Sequence, residues 1–338
     1  MVKSSERIDL QLSFWGDILD TFEDRTIFQT PSWMSFIAET QNAEPVFAAV
    51  KDGTRTAGYF SGLIVRKFGL KILGSPLPGW TTSYMGMNLS PGVSRRLGLE
   101  AVVRLAFEEL SCVHIEIMDR QISVNDAREL GFMIRTFAGF EIDLRASEDR
   151  LFANMTSACR RCIRRAEKCG VIIEEAHDHG FADDYYAQLQ EVFRKQSLVP
   201  PYGIDRVRAL IAHLLDTGHL LLLRARNPLG QCIATGIFPA MNDTMYFWGG
   251  ASRRDSLGYR PNEVLHWHAM KYWKARGVTR YDMGGGGEYK RKYGGYEIAV
   301  PWIRKSRYPG LGILRSLAKQ MAGWRQWTLG KAATYNRS

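Results

Sequence analysis

The stretch from Asn154 to Glu175 combines a dense set of positive charges with a glycine and a β-branched strand. Helical spacing predicts a helix from Met155 to Cys169, with one stripe facing a core. The residues of that stripe are Met155, Ala158, Cys162, Ala166 and Cys169. The cations on the other faces are Arg160, Arg161, Arg164, Arg165 and Lys168. This basic ridge suits an anionic substrate, and the alternative is an ordinary solvated surface helix.

The cysteines and histidines do not predict a metal site. Cys159, Cys162 and Cys169 lack a second paired motif, and the arginines beside them would oppose a cation. His266 and His268 lie two residues apart on a predicted helix, so their side chains diverge by about 200° and cannot chelate one ion. We expect the thiols to pack and the histidines to pack or to face solvent. No pattern supports a covalent Ser-His-Asp or Cys-His mechanism.

The composition is that of an ordinary globular protein. The 338 residues are 45% hydrophobic, which is enough to bury the cores of two domains. Five cysteines in a chain without a secretory leader indicate reduced thiols in a cytoplasm. No apolar run reaches the length of about 20 residues that a membrane-spanning helix needs. We therefore expect a cytoplasmic protein, either free or peripheral at the inner face of the membrane.

The positive charge is concentrated at the carboxyl end. From Lys290 to Ser338 there are eleven Lys or Arg and one acidic residue, Glu297, which accounts for the whole net charge of +10. Within residues 309–338 an apolar stripe predicts a basic amphipathic helix. The stripe consists of Leu314, Leu317, Met321 and Trp324. Such a helix could lie on an anionic membrane or pack on the protein body, and the sequence does not choose between these alternatives.

The elements of the first half indicate an antiparallel meander followed by mixed helices and strands. The predicted strands are Pro45–Val50, Gly58–Val65, Leu70–Gly74, Val113–Met118 and one within Phe132–Leu144. The predicted helices span Pro91–Leu110 and Val124–Leu130. This order is typical of an α+β fold.

The second half repeats this scheme. After the basic helix, Gly170 provides a C-cap and a strand begins at Val171. Two helices, Ala182–Lys195 and Ile204–Thr217, come next. Three strands then follow at His219–Ala225, Gln231–Pro239 and Thr244–Gly250. A helix from Pro261 to Arg276 and a strand at Arg280–Gly284 complete the half. This is an acetyltransferase-like order of elements.

Several segments give the chain a resemblance to the FemAB branch of the GNAT superfamily. They are Phe28–Trp33, Ile163–Val171, Arg260–Asn262, Arg280–Gly285 and Tyr289–Gly295. The resemblance covers most of the chain and implies two tandem GNAT-like domains with mixed, mainly antiparallel sheets. We expect them at residues 1–147 and 148–308, followed by the basic helix and tail at 309–338. Members of this branch join an acyl or aminoacyl group to an amine, with no tightly bound cofactor.

The resemblance implies a cleft between the strands Thr244–Gly250 and Arg280–Gly284, where backbone groups bind the donor. Trp248, Gly249 and Gly250 would line this cleft, and the glycines permit close approach of a backbone N–H to an oxyanion. Arg260 and Asn262 lie at the start of the next helix, and the free N–H groups of a helix start suit a phosphate. Together with Arg160, Arg161, Arg164 and Arg165, they form the expected phosphate-binding set.

The donor expected from this resemblance is an aminoacyl-tRNA, with an acyl-CoA as the alternative. Typical acetyl-CoA enzymes carry two spaced glycines before this helix, whereas Arg253–Arg260 contains only Gly258. The FemAB lysine that holds the donor corresponds to Lys290, and Tyr289 and Tyr293 could stack on a terminal adenine. Direct transfer also needs a general base, for which Asp282 and Glu288 are the nearest acidic residues.

Three functions follow from these patterns. The first is transfer of an aminoacyl group onto an amine of a cell-envelope precursor, such as a peptidoglycan precursor. The second is an acyl-CoA-dependent N-acyltransferase that acts on a polysaccharide or a small amine. The third is a non-catalytic adaptor that docks on a membrane or on RNA through its basic surface.

Overall fold

The computed structural model describes residues 5–8 and 12–308, and the predicted helix through Leu314 and Trp324 lies outside them. The described chain divides into two compact units. Unit 1 holds the residues up to Ala138 and those from Ala299 onward, and unit 2 holds Gly139–Ile298. The boundary expected from the sequence lies later, between residues 147 and 148, and residues 299–308, expected in the second domain, pack in unit 1.

Unit 1 alternates helices and strands. Its elements are β1 (Ser5–Ile8), α1 (Leu12–Asp20), α2 (Pro31–Gln41), β2 (Glu44–Asp52), β3 (Arg55–Lys67), β4 (Leu70–Ser75), β5 (Met87–Leu89), α3 (Arg95–Arg104), β6 (His114–Met118), α4 (Val124–Glu129) and the first part of β7 (Met133–Asp143). A π-helical turn at Leu105–Glu109 extends α3.

Unit 2 begins within β7 and ends within the last strand, which continues into unit 1. Its further elements are α5 (Glu148–Asn154), α6 (Ser157–Lys168), β8 (Ile172–Ala176), α7 (Phe181–Lys195), α8 (Ile204–Leu214), β9 (Leu220–Arg226), β10 (Cys232–Met241), β11 (Thr244–Tyr246), β12 (Gly249–Ser252), α9 (Pro261–Lys274), β13 (Arg280–Gly285) and β14 (Tyr296–Ser306).

Each unit is built on a mainly antiparallel sheet. In unit 1 the strand order is β1-β2-β3-β4-β6-β14, with β5 paired to β3, and β4 runs parallel to β6. In unit 2 the order is β7-β13-β11-β10-β9-β8, with β12 paired to β10, and β11 runs parallel to β13. The predicted α+β class with mixed, mainly antiparallel sheets is confirmed.

Each unit also has its own hydrophobic core. In unit 1 the core gathers around Leu73, Leu99 and Ile115. In unit 2 it joins α6 and α9 to the sheet through residues such as Ile163 and Met270. No helix in the described part of the chain combines the length and the apolarity needed to cross a bilayer.

The basic helix differs from its sequence prediction. Its first turn is separate: α5 ends at Asn154, and the Thr156 side chain caps α6 by accepting from the Cys159 N–H. The buried residues are Cys159, Ile163 and Ala166, so the predicted stripe through Ala158 and Cys162 was wrong. The reason is size, because a stripe through Ile163 buries more apolar area than one that exposes it.

Arg224 on β9 ties together the elements that carry α7. Its side chain is 6% exposed, and its guanidinium donates to Asp178 (2.6 and 2.9 Å), Glu174 (2.9 Å) and Asp184 (2.7 Å). Glu174 lies on β8, Asp178 on the loop before α7 and Asp184 on α7 itself. The hydrogen bonds from Arg224 lower the pKa of Asp178. The cluster therefore fixes α7 against the sheet of unit 2.

We expect Arg224→Met to lower the free energy of unfolding by about 3 kcal/mol, because it leaves the carboxylates around a buried position without their cation. Arg208→Met removes an exposed ion pair to Asp183 and should cost less than about 1 kcal/mol. Urea denaturation measures both. Since the pKa of Asp178 is lowered on folding, the Arg224 contribution is present above about pH 4 and is lost as the pH falls below it. Equal costs for the two variants would contradict this role.

Candidate active site

The strands of unit 2 part in the middle of the sheet. β11 pairs in parallel with the start of β13, and the last bond of this ladder runs from the Phe247 N–H to the Asp282 carbonyl (3.0 Å). The chain then turns onto β10, where the Trp248 N–H donates to Ile237 O (3.1 Å) and β12 begins. The single strand predicted at Thr244–Gly250 is therefore two short strands, and the predicted cleft lies beside the second.

The break changes which backbone donors of β12 can reach β10. Arg253 donates to Ile233 O (2.9 Å), which marks the hydrogen-bonded positions of the β10–β12 ladder. From the alternation that starts at Arg253 we infer that the N–H of Gly250 points away from β10. Trp248, which donates to Ile237 O, stands outside this alternation. Gly250 is exposed, and a Cβ there would lie 3.0 Å from the Phe247 ring. A Cβ at Gly249 would lie 2.4 Å from Tyr185 Oη. A side chain at Gly249 would therefore displace the buried Tyr185, and one at Gly250 would press on the Phe247 ring.

A pocket of about 270 Å³ opens between β10, β12 and α9. Its lining includes Phe238, Phe247, Gly250, His266, Tyr289 and Tyr293. Of the predicted site residues, the structure brings Gly250, Asn262, Tyr289 and Tyr293 to this lining. Trp248 instead packs near Tyr185 and Tyr202, with ring centroids 6.4 and 5.4 Å away. The pocket is thus lined in part by aromatic rings, together with small and aliphatic residues and a few polar groups, Lys292 among them, that can orient a ligand.

Lys290 is buried behind the pocket wall. Its Nζ donates to Met283 O (2.6 Å) and Gly285 O (2.7 Å), which are the carbonyls at the end of β13. It also lies 5.9 Å from the ring centroids of Phe247 and Tyr289, both of which line the pocket. Burial lowers the pKa of Lys290 to about 8, and the charge of Asp282 opposes this shift. Lys290 therefore ties down the glycine loop and places one positive charge next to the pocket.

The two predicted base candidates lie apart from the pocket lining. Asp282 is 1% exposed, and its Oδ1 accepts from the Gly284 N–H at 2.7 Å. Glu288 has an 80% exposed side chain and pairs with Arg291 at 3.2 Å. Neither carboxylate is among the residues that form the pocket wall. The geometry thus gives Asp282 a role in holding the end of β13.

The start of α9 is anchored to β12 and to the turn Glu288–Tyr293. Asn262 Nδ2 donates to Ser252 Oγ (3.2 Å), and Lys292 Nζ lies 2.7 Å from Glu263 Oε1. Arg260 adopts a left-handed conformation (φ 58°) immediately before Pro261, the first residue of the helix. Asn262 is therefore a positioning residue for the pocket.

His266 was not expected in the site, since the sequence indicated only packing or a surface position. It lines the pocket on the same face of α9 as Asn262, which lies one helical turn before it. Its Nδ1 lies 2.6 Å from Tyr281 Oη, and its ring is 4.6 Å from that of Tyr293. Burial and the charges of Lys292 and Lys290 lower the pKa of His266 to about 3. The spacing Asn262-x-x-x-His266 could have indicated this position, because residues four apart lie on the same face of a helix.

The arginines of α6 divide into structural and exposed groups. Arg160 caps α5 by donating to Ala153 O and Met155 O, and Arg164 stacks over Phe152 at 5.4 Å. Arg165 Nε donates to Gly258 O (3.0 Å), which links α6 to the 253–260 loop. Arg161 remains exposed. The basic ridge thus helps to position a loop at the start of α9.

The 253–260 loop uses its own backbone donors internally. The N–H groups of Ser256, Leu257, Tyr259 and Arg260 donate to carbonyls within the loop. By contrast, the side chains of Arg253, Arg254 and Arg260 are exposed and have no partner among residues 5–8 and 12–308. The loop therefore offers guanidinium groups, more than backbone N–H groups, to an anion.

Cysteines contribute no reactive group to the pocket. Burial raises the pKa of Cys159 to about 12, so its thiol stays protonated. Within the described ranges, no three His, Cys, Asp or Glu side chains are grouped so that they could hold a metal ion.

A comparison with protein families matched residues 153–293 to an acetyltransferase (GNAT) domain. This segment runs from α5 to Tyr293 and contains every element that lines the pocket. A comparison with curated proteins found no match.

Solved structures give the same fold. FemX covers 88% of this chain and 96% of its own at 15% identity, with a TM-score of 0.69. A tandem GNAT protein from the clavulanic acid biosynthesis pathway covers 91% and 99% at 10% identity, with a TM-score of 0.56. The C-terminal domain of a putative lysylphosphatidylglycerol synthetase from Agrobacterium fabrum covers 87% and 92% at 7% identity, with a TM-score of 0.55.

These matches confirm the two tandem GNAT-like units expected from the sequence. The parted strands and the pocket both lie in the unit that matches the acetyltransferase domain. Residues 153–293 are therefore a GNAT-type acyltransferase domain, and the chain as a whole has the fold of FemX.

Proposed function

We propose that the protein transfers an aminoacyl group from an aminoacyl-tRNA onto an amine. The observation that carries this choice of donor is the 253–260 loop. A coenzyme A pyrophosphate needs converging backbone N–H groups, and four of those in this loop are already bonded within it. Exposed guanidinium groups on the loop and on Arg161 of α6 suit the spaced phosphates of a nucleic acid strand.

The pocket can accommodate the reaction of such a donor. The acceptor nitrogen attacks the ester carbonyl carbon, and the carbonyl electron pair moves to oxygen to give a tetrahedral oxyanion. The oxyanion then collapses, the new C–N bond remains, and the C–O bond to the terminal ribose breaks. The proton lost by the amine goes to the ribose oxygen. The Gly250 N–H and the charge of Lys290 stabilise the oxyanion.

The aromatic residues of the turn Glu288–Tyr293 suit the other end of the donor. Tyr289 is half exposed at 50%, whereas Tyr293 is buried at 1%, and both line the pocket. An exposed aromatic face beside exposed cations can stack on a terminal adenine. We assign Tyr289 this role, and we assign Tyr293 to the pocket wall.

We propose an amine of a cell-envelope precursor as the acceptor, such as a peptidoglycan precursor. Support comes from the FemAB-like resemblance and from the shared fold of FemX and of the lysylphosphatidylglycerol synthetase domain. A cell-envelope acceptor would place the enzyme in the cytoplasm or at the inner face of the membrane. The basic stretch at 309–338, which lies outside the described residues, would favour the second position.

The second candidate donor is an acyl-CoA, with a polysaccharide or a small amine as acceptor. The match of residues 153–293 to an acetyltransferase domain favours it. The strand parting and the Gly250 N–H serve this donor equally well, so the two candidates differ in the phosphate-binding loop alone.

A single-turnover assay with each donor tests the proposal. We expect the purified protein to transfer label from charged tRNA to an extract of cell-envelope precursors, with no transfer from acetyl-CoA or a longer acyl-CoA. Mass spectrometry of the product identifies the transferred group and the acceptor. Transfer from the acyl-CoA alone would replace the proposed donor by the second candidate. Binding of tRNA or anionic vesicles without turnover of any donor would instead indicate an adaptor.

A matched pair of variants controls for non-specific charge. Arg253→Gln/Arg254→Gln should raise the KM for charged tRNA about tenfold with a smaller change in kcat, because these arginines bind phosphate outside the reacting centre. Arg55→Gln/Arg135→Gln removes two exposed arginines of unit 1 and the same total charge. A similar rise in KM for both pairs would show that the loop has no special part in donor binding.

Lys290→Met should lower the single-turnover rate about tenfold or more with whichever donor is used, because the pocket loses its adjacent positive charge. The rate of the wild-type protein should carry a component that falls as the pH rises through about 8, where Lys290 loses its proton. This component should be missing from the variant.

The control is Lys305→Met in unit 1, since the Nζ of Lys305 also donates to a backbone carbonyl, that of Leu130. Thermal unfolding of both variants separates loss of the fold from loss of chemistry. An undiminished rate in folded Lys290→Met would exclude the proposed role of Lys290.

A further inference from the structure

His266 and Tyr281 form a buried pair whose proton positions can be deduced. Tyr281 on β13 is 0% exposed, and its Oη lies 2.6 Å from His266 Nδ1. Among the residues that the structure describes, Tyr281 Oη has no other hydrogen-bond partner. If Nδ1 carried the proton and donated it, the buried phenol O–H would have no acceptor, which costs about 1–3 kcal/mol. Tyr281 therefore donates to Nδ1.

This arrangement places the imidazole proton on Nε2. The histidine ring is neutral, because burial lowers its pKa to about 3, so it carries one proton, and Nδ1 is the acceptor. Within the described chain, Nε2 has no hydrogen-bond partner, while the histidine is 5% exposed and lines the pocket. The Nε2–H is thus a hydrogen-bond donor available to a pocket ligand.

The surrounding rings restrict the orientation of this donor. The imidazole centroid lies 4.7 Å from that of Phe247 and 4.6 Å from that of Tyr293. Tyr281 holds the opposite edge of the ring. A side chain enclosed in this way loses little entropy when it binds a ligand, which is the condition for a preorganised donor.

We propose that His266 is a catalytic residue, whose Nε2–H donates to the carbonyl oxygen of the transferred acyl group and to the oxyanion that forms there. This inference rests on the proposed acyl transfer and holds for either donor. In the step concerned, the amine nitrogen bonds to the carbonyl carbon and the carbonyl π electrons move to the oxygen. His266 keeps its proton throughout and supplies only a hydrogen bond.

The chemistry of the pocket favours a neutral donor here. A cationic histidine would be repelled by Lys290 and Lys292, both of which act to lower its pKa. A neutral imidazole whose N–H polarises a carbonyl is an established catalytic device, as in triosephosphate isomerase. Gly250 lines the same pocket, so the His266 N–H would be a second hydrogen-bond donor there beside the inferred Gly250 N–H.

Two substitutions separate the two nitrogens of His266. In His266→Asn the side-chain oxygen can still accept from Tyr281, but the pocket donor is lost. In His266→Gln the amide N–H₂ can take the place of Nε2–H. We expect His266→Asn to lower kcat about hundredfold with a smaller effect on KM, and His266→Gln to retain at least tenfold more activity than His266→Asn. A kcat for folded His266→Asn within about twofold of wild type would overturn the proposal.

The proton position is tested without turnover. A two-bond ¹H–¹⁵N spectrum of histidine-labelled protein should show Nε2 protonated and Nδ1 bare, and Tyr281→Phe should shift the Nδ1 resonance. Addition of puromycin, an aminoacyl-nucleoside amide, should shift the Nε2–H resonance.

A proton on Nδ1, or an unchanged Nε2–H resonance at saturating puromycin, contradicts the inference. If the wild-type protein transfers no acyl group from any donor, the proposed function fails. The tautomer and the puromycin titration then still decide whether His266 binds a carbonyl.

Discussion

The unit 2 site depends on the point where the chain after β11 stops following β13 and turns onto β10 as β12. Beyond the Phe247–Asp282 hydrogen bond, backbone groups on both sides of the opening need partners other than each other. On the β13 side, the carbonyls of Met283 and Gly285 accept from Lys290. On the β12 side, we infer that the Gly250 N–H is directed into the opening. The break therefore creates a donor for an acyl oxygen and explains why a lysine is buried beside it.

The charged groups around the unit 2 pocket differ in their exposure to solvent. The pocket wall combines aromatic rings with a neutral histidine, and Lys292, which is paired with Glu263, is the charged residue of its lining. Lys290 lies behind this wall, where its charge acts on the pocket at low dielectric. The arginines of the 253–260 loop are exposed, where they can attract phosphates and be screened by salt. This order separates capture of the donor from stabilisation of the reaction.

Local signals predicted much of the unit 2 fold but little of the pocket. Pro261 and the flanking strands are short-range features, and they located α9 and β13 within a few residues. The prediction of which stripe of α6 is buried was wrong, because tertiary packing decides which face of a helix meets the core. β14 was missed, since its residues pair with β6 far away in sequence. The position of His266 in the pocket depends on its contacts with Tyr281 and Tyr293. These contacts form between separate elements in the folded chain, so local sequence patterns do not predict them.

The proposed chemistry requires the donor's acyl group to occupy the pocket beside β12 and α9. Photo-crosslinking tests it most directly, with an aminoacyl-nucleoside amide that carries a diazirine in its aminoacyl side chain and with peptide mapping by mass spectrometry. We expect labels within residues 235–252, 262–266 or 289–293, and their loss when excess unlabelled donor competes. Labels confined to unit 1, or labels in unit 2 that competition does not reduce, would contradict it.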